Sequence, residues 1–142
     1  MTEQNKQPQV KTEMILHYMT DVDRRNPLPT TFSYSKHDPY AVAMEIYRPP
    51  GLVPVKWLFS RELVAEACMT GEETGIGDVI FTSHTRAGKE YLGILLSAKT
   101  KASLEADKGE IDLFLAEAHK LVPPEDEFDL VDFDESVTKL LG

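Results

Sequence analysis

The sequence predicts an α+β domain in which antiparallel β-sheets carry one helix after the first set of strands and further helices at the C-terminal end. Apolar and polar residues alternate with a period of two from Val10 onward, as in half-buried strands. The period becomes helical after Ser60 and again after Ser97. Most links between strands are short enough for hairpins, which favours antiparallel pairing, and the repeated order of strands then helix indicates a pseudo-duplicated βα layout.

Three strands are predicted in the first third of the chain. They cover residues 10–19, 30–36 and 41–48. Residues 21–29 hold two prolines and an Asn-Pro step, so we expect a loop there instead of a regular ladder. Residues 1–9 are polar, and we expect them to be a disordered tail ahead of a single domain that spans residues 10–142.

The middle of the chain is expected to be the centre of the fold. Alternation over residues 55–60 predicts a fourth strand with Trp57 and Phe59 on its core face. A helix should follow, because Ser60 is suited to cap it and Gly71 to end it. A short glycine-rich segment, with Gly75, Gly77 and Asp78, then turns the chain into a strand at residues 79–81.

The second half of the chain is expected to contain fewer strands and more helix. The polar residues 82–90 predict a loop that joins the strand before it to an apolar strand at 91–97. Residues 98–106 favour two turns of helix. Two capping-box patterns, Asp107-x-x-Glu110 and Asp132-x-x-Glu135, each predict the start of another helix, and Pro123-Pro124 ends the first of these.

Charge and composition exclude several classes of protein. The net charge is −9, and the segment from Thr100 to Gly142 carries 12 acidic residues against 4 lysines. This imbalance argues against a general binder of nucleic-acid backbones, which needs a basic face. The sequence has one cysteine, no apolar run long enough for a membrane helix and no signal-peptide pattern. We therefore expect a soluble cytoplasmic protein without membrane insertion.

The residues form no catalytic, metal-binding or cofactor-binding pattern. The histidines are scattered without the spacing of a helical metal pair: His17, His37, His84 and His119. Cys68 falls on an apolar helix face among glutamates, which indicates a buried thiol and not a nucleophile. The Gly75-x-Gly77 element precedes a strand, whereas a dinucleotide-binding fingerprint precedes a helix. We therefore expect a binding or scaffold protein that has no cofactor and is not an enzyme.

Two groups of residues remain open to a functional interpretation. In the predicted loop, His84, Arg86 and Lys89 are either a solubilising hairpin turn or a contact for an anion or a partner. Arg61 and Glu62, at the start of the predicted helix, either cap and solvate that helix or face a partner.

A resemblance adds what residue spacing cannot supply. The ordered motifs resemble the SsgA-like family of actinomycete sporulation and cell-division proteins over nearly the whole chain. They are Asp38-Pro39-Tyr40-Ala41-Val42, Val55-x-Trp57-x-Phe59-Ser60-Arg61-Glu62-Leu63, Gly75-x-Gly77-Asp78-Val79, Leu95-Leu96-Ser97, Val122-Pro123-Pro124 and Phe133-Asp134. The family has no catalytic residues to carry over, so the resemblance implies that these motif residues are structural or partner-facing.

The resemblance also implies a fold and a function. It implies a whirly-like fold with a two-fold ββββα layout, assembled as a homotrimer. It further implies a non-enzymatic regulator that positions septation through contacts with FtsZ or other SsgA-like proteins, in the cytoplasm and at division septa. The alternative is a whirly-like protein that binds single-stranded nucleic acid, although the net charge of −9 weighs against it.

Overall fold

A computed structural model of the protein describes residues 9–19, 25–47, 53–97 and 101–126. Within these residues, eight strands and two α-helices confirm the predicted α+β class. The strands are β1 (Gln9–Met19), β2 (Arg25–Ser35), β3 (Asp38–Ile46), β4 (Val55–Ser60), β5 (Thr74–Ile76), β6 (Val79–Arg86), β7 (Lys89–Ser97) and β8 (Lys101–Asp107). The helices are α1 (Arg61–Thr70) and α2 (Lys108–Leu121), and a short 3-10 turn follows at Pro124–Asp126.

The strands form one antiparallel sheet in the order β4-β3-β2-β1-β8-β7-β6-β5. Each half of the sheet is a meander of four strands followed by a helix, which confirms the predicted pseudo-duplicated ββββα layout. The two halves join where β1 pairs with β8, from His17 opposite Glu105 to Met19 opposite Ser103. This short ladder places the outer faces of β1 and β8 side by side.

The sheet curls into a half-barrel whose concave face holds the core. Phe59 of β4 and Phe81 of β6 lie near opposite ends of the strand order, yet their ring centroids are 5.0 Å apart. Phe114 of α2 packs against Phe32 of β2 with a centroid separation of 5.8 Å. Val64 and Ala67 of α1 also belong to the core, so both helices cover the concave face and the convex face is left uncovered by helix.

The predicted helix signals are confirmed at both helices. Ser60 caps α1, because its side chain accepts a hydrogen bond from the backbone N–H of Leu63, and Gly71 follows the last turn. Asp107 caps α2 by accepting from the N–H groups of Gly109 and Glu110. Satisfying these end groups fixes where each helix begins relative to the strand before it.

The helix predicted over residues 98–106 is wrong where the structure describes it, because residues from Lys101 onward form β8. Alanine, lysine, leucine and glutamate favour a helix locally. In the protein β8 pairs with β7 along its whole length, from Tyr91 opposite Asp107 to Ser97 opposite Lys101. Pairing buries Leu104 and Ala106 in the core, so tertiary contacts override the local preference.

The loop predicted over residues 82–90 is also wrong. Strands β6 and β7 continue through it and leave a two-residue turn at Ala87 and Gly88. Both turn residues have positive φ values, 54° and 80°, as a tight hairpin with right-handed twist requires. Thr82, His84, Arg86 and Lys89 therefore lie on the outer face of a regular ladder, and not on a loop.

The sheet gains two further segments that the sequence does not predict. The loop predicted over residues 21–29 is wrong from Arg25 onward, because β2 begins at Arg25 despite Pro27 and Pro29. β5 is an additional short strand. The carbonyl of Pro29 accepts from the N–H of Tyr47, so the missing N–H of Pro29 faces the side on which β3 ends. Residues 1–8 of the predicted tail, and the helix predicted after Asp132, lie outside the described residues.

Candidate functional site

The most unusual polar arrangement in the described structure lies on the convex face of β6, β7 and β8. Glu105 is opposite Gly93, and Gly93 is opposite Thr82, so these three residues form one row across the strands. A Cβ atom at Gly93 would lie 2.5 Å from Thr82 Oγ1 and 3.6 Å from His84 Nδ1. The missing side chain at Gly93 therefore leaves room for the residues that reach Glu105 from β6.

The carboxylate of Glu105 is buried and held by two cation-forming side chains. Glu105 is only 1% exposed. Arg86 donates from Nη1 to Oε2 and from Nη2 to Oε1, the latter at 2.8 Å, while His84 Nε2 lies 2.7 Å from Oε2. A bidentate guanidinium is the partner that best compensates a buried carboxylate. We name these residues, together with Tyr91, the Glu105 cluster.

Tyr91 forms the aromatic part of the Glu105 cluster. The guanidinium carbon of Arg86 lies 4.6 Å from the centre of the Tyr91 ring, and the His84 ring stacks on the same ring at 5.7 Å. Tyr91 is itself buried, since it is 8% exposed. Contact with the ring and with the carboxylate fixes the Arg86 and His84 side chains before any partner arrives.

Lys89 and Asp107 form a second ion pair beside Tyr91. Lys89 Nζ lies 2.8 Å from Asp107 Oδ2, and the same aspartate caps α2. The hydrogen bond from Lys89 lowers the pKa of Asp107, and the hydrogen bond to Asp107 raises the pKa of Lys89. The pair therefore ties the β6–β7 hairpin to the first turn of α2.

The structure thus brings together the three residues of the predicted contact loop, His84, Arg86 and Lys89, but on strands. The sequence does not predict that Glu105 and Asp107 are the ion-pair partners of these residues. Both fall in or beside the segment for which a helix was predicted, and only the register of β8 against β7 shows that they lie beneath these basic residues. No local pattern in the sequence encodes that register.

The family-motif residues are spread over the strands, turns and first helix of the fold. Asp38, Pro39 and Tyr40 begin β3, Trp57 and Phe59 belong to β4, Arg61 and Glu62 begin α1, Gly75 lies in β5, and Gly77 and Asp78 form the turn into β6. Arg61 is 0% exposed and donates from Nη1 to the carbonyls of Ala118 and Val122. Its guanidinium also lies 4.7 Å from the ring centre of Tyr34, whereas Glu62 is exposed.

The Glu105 cluster has the residue types of an acid–base site but not the arrangement. A general base needs a lone pair directed at a substrate, and both oxygens of Glu105 are bonded to Arg86 or His84. Burial raises the pKa of the Cys68 thiol to about 11, which removes its nucleophilic form at neutral pH. In the described parts of the chain, no three His, Cys, Asp or Glu side chains converge on a metal-binding position.

Two shallow recesses adjoin this face. One of about 290 Å³ is lined by His84, Arg86 and Glu105 with the neighbouring strand residues, and one of about 220 Å³ lies between Ile15, Lys89 and Glu110. Both are open to the convex side. Neither helix among the described residues has the length and hydropathy needed to span a bilayer.

Comparison with known proteins gives a consistent result. The family described as "Streptomyces sporulation and cell division protein, SsgA" matches residues 28–127. A sporulation-specific cell division protein of Frankia casuarinae is 31% identical over 93% of this chain and 89% of its own length. The sporulation-specific cell division protein SsgB of Streptomyces coelicolor is 30% identical over 94% of this chain and 96% of its own length.

Solved structures show the same relationship. An SsgB structure, from work on mutations that correlate with longitudinal cell division during sporulation of Streptomyces coelicolor, superposes with a TM-score of 0.82 at 29% identity, covering 88% of this chain and 97% of the other. An SsgA-like sporulation-specific cell division protein of Thermobifida fusca superposes with a TM-score of 0.81 at 28% identity, covering 94% and 96%.

Proposed function

Because the chain belongs to the SsgA family of sporulation and cell division proteins, we propose that it positions septation through protein contacts and not through catalysis. Its partners are FtsZ or other SsgA-like proteins, which it recruits or modulates. It acts in the cytoplasm and at division septa as a homo-oligomer, and a trimer is the expected state. The resemblance of the whole chain to cell division proteins supports this role, and the Glu105 cluster supports the mode of action.

The observation that carries the contact mechanism is the pairing within the Glu105 cluster. Its acid and its bases are bonded to one another, which leaves a rigid arrangement instead of a reactive one. Arginine and tyrosine are the side chains that most often dominate protein interfaces, particularly when they are fixed before binding. The cluster also stands on paired strands, which position side chains more accurately than a loop.

Binding of single-stranded nucleic acid is the weaker alternative. Arg86 and Lys89 are each bonded to a carboxylate, so their charges are largely neutralised within the protein. Trp57 packs against the core and is not a stacking platform on the convex face. A polyanion would also meet a protein with a net charge of −9.

Co-sedimentation with FtsZ polymers tests the proposal. We expect the intact protein to sediment with the polymers, and we expect the double variant His84→Ala/Lys89→Ala to remain in the supernatant. Both side chains are partly exposed, so the fold should survive their removal. Lys120→Ala is the matched control, because Lys120 is an exposed lysine in an ion pair with Glu117, away from the cluster.

The result has two clear readings. Sedimentation of the Lys120→Ala variant together with loss of the double variant would support a contact at the Glu105 cluster. An intact protein that binds neither FtsZ nor another SsgA-like protein, but binds a single-stranded oligonucleotide at low salt, would contradict the proposal in favour of the nucleic-acid alternative.

A further inference from the structure

An apolar groove lies on the convex face next to the Glu105 cluster, across β1, β2 and β3. Its volume is about 550 Å³. Ile15 is opposite Pro29 in the β1–β2 ladder, and Tyr47 bonds to Pro29 from the end of β3, so these three side chains form a row across the strands. Ile15 is 47% exposed and Tyr47 is 40% exposed, so the two side chains present a contiguous apolar surface to solvent.

The groove is preformed by a hydrogen bond. The hydroxyl of Thr31 donates to the hydroxyl of Tyr47 at 3.3 Å, and Thr31 is buried. The bond between the N–H of Tyr47 and the carbonyl of Pro29, at 3.0 Å, fixes the backbone on the same side. Because the backbone and the side chain of Tyr47 are both held by hydrogen bonds, Tyr47 loses little conformational freedom when a ligand binds.

The groove continues into the recess beside the cluster, because Ile15 lines both. The charged side chains along the combined surface are Glu13 in the groove and Lys89, Asp107 and Glu110 in the recess. Three carboxylates against one lysine leave this surface acidic, and that lysine is already bonded to Asp107. His17 also lines the recess.

We propose that this surface binds an extended basic segment of a partner protein. An apolar side chain of that segment fills the groove between Tyr47 and Ile15, and a neighbouring lysine or arginine lies against Glu13 or the carboxylates of the recess. The identity of the partner as a division protein rests on the proposed function, whereas the chemistry of the segment rests on the groove and its charge. An exposed apolar groove rimmed by carboxylates disfavours nucleic acid as the occupant, since the carboxylates repel phosphates.

Fluorescence polarisation with labelled peptides tests the inference. The probe is a decapeptide with a central leucine flanked by lysines. One control peptide carries glutamates in place of the lysines, and another carries serine in place of the leucine. We expect the protein to bind the first peptide about tenfold more tightly than either control. The glutamate peptide lacks the cations that would face the carboxylates, and the serine peptide lacks the apolar side chain that would fill the groove.

Variants of the protein locate the site. Ile15→Ser should weaken binding of the leucine–lysine peptide by about tenfold, since it removes an apolar wall. Glu13→Lys should reduce the preference for the lysine peptide over the glutamate peptide. Leu113→Ser is the matched control, because Leu113 is an exposed apolar residue of α2 that does not line the groove, and it should leave affinity unchanged.

The outcomes separate this inference from the proposed function. Equal binding of the three peptides, tighter binding of a single-stranded oligonucleotide, or no effect of Ile15→Ser would overturn the groove inference. If FtsZ still co-sediments with the Ile15→Ser variant, the proposed function stands without the groove. If the protein prefers the leucine–lysine peptide but septation is normal in cells that lack the protein, the inferred binding groove is retained and the proposed function fails.

Discussion

Arg86 of β6 and Glu105 of β8 are joined by a bidentate ion pair although their strands are not neighbours in the sheet. The bond spans β7, where the guanidinium carbon of Arg86 lies 4.6 Å from the centre of the Tyr91 ring and Gly93 is the residue opposite Glu105. Three strands are thereby tied together on the convex face by side chains, in addition to their backbone ladders. The stability of this face should depend on each of these four residues.

Removal of the arginine should cost more stability than neutralisation of the acid. Arg86→Ala leaves the carboxylate of Glu105, which is 1% exposed, with a reduced set of partners. Since such breakage of a buried pair is strongly destabilising, we expect a loss of about 3 kcal/mol in the free energy of unfolding. Glu105→Gln leaves Arg86, whose side chain is 33% exposed and reaches water, so we expect a loss of about 1 kcal/mol.

Urea denaturation monitored by circular dichroism gives both values. A double variant, Arg86→Ala/Glu105→Gln, should be more stable than Arg86→Ala alone, because it also removes the buried negative charge of Glu105. A larger loss for Glu105→Gln than for Arg86→Ala would contradict this description of the pair.

Gly93 should not tolerate even a methyl group. In Gly93→Ala the new Cβ would lie 2.5 Å from Thr82 Oγ1, so either the Thr82 side chain or one of the strands must shift. Overpacking of this kind costs about 1–3 kcal/mol. The double variant Gly93→Ala/Thr82→Ala removes the clashing hydroxyl and should recover most of the melting temperature; a double variant no more stable than Gly93→Ala would place the strain elsewhere.

Arg61 should prove essential for docking α2 onto the first half of the fold. Arg61→Met removes the donors to the carbonyls of Ala118 and Val122 at a site that is 0% exposed. The carbonyl of Ala118 still accepts from the backbone N–H of Val122 in this variant, so the carbonyl of Val122 is the group that loses its donor. An unsatisfied buried carbonyl costs about 1–3 kcal/mol, so we expect a loss of about 2 kcal/mol. Glu62→Ala, a change at the adjacent exposed residue, should leave the denaturation midpoint nearly unchanged, and an equal loss in both variants would refute a specific role for Arg61.

The Lys89–Asp107 pair should stabilise the protein at pH values above the pKa of Asp107. The pKa of Asp107 is lowered in the folded protein from its ordinary value of 3.8, chiefly by the hydrogen bond from Lys89. Because the folded pKa lies below the unfolded one, the contribution is complete above pH 3.8 and disappears as the pH falls through the folded pKa.

Melting temperatures between neutral pH and pH 2 measure this contribution. Asp107→Asn keeps a good helix cap but removes the charge, so the variant should lose less stability on acidification than the intact protein. An identical acid profile in both proteins would show that the pair contributes nothing measurable.

Cys68 should react slowly with thiol reagents. A pKa of about 11 leaves little thiolate near pH 8. Relative to a free cysteine with a pKa near 8.5, we expect alkylation by iodoacetamide to be about a hundredfold slower. Urea should restore the ordinary rate, because burial is the main cause of the raised pKa; rapid labelling of the native protein would contradict the packing of Cys68.

The sequence predicts well what local residue order determines. The alternation of β1, β3 and β4, the cap at Ser60 and the cap at Asp107 are each encoded within a few neighbouring residues, and each is confirmed. The family resemblance is confirmed as well, because its ordered motifs extend along most of the chain. The predicted class and the pseudo-duplicated layout follow from these same local patterns.

The convex face could not be predicted, because it depends on contacts between distant residues. β8 has a composition that favours helix, and only its ladders with β7 and β1 make it a strand. Once β8 is missed, Glu105 has no position relative to Arg86, and the basic residues of β6 and β7 look like a solvated loop. The groove at Ile15 is hidden for the same reason, since it needs three strands in register.

The most direct test of a septation role for the Glu105 cluster is the position of septa in sporulating cells whose only copy of the protein carries His84→Ala/Lys89→Ala. We predict misplaced or missing septa, loss of the tagged variant from division sites, and normal septation in cells with Lys120→Ala. Regular septa in the double variant, or in cells that lack the protein altogether, would contradict it.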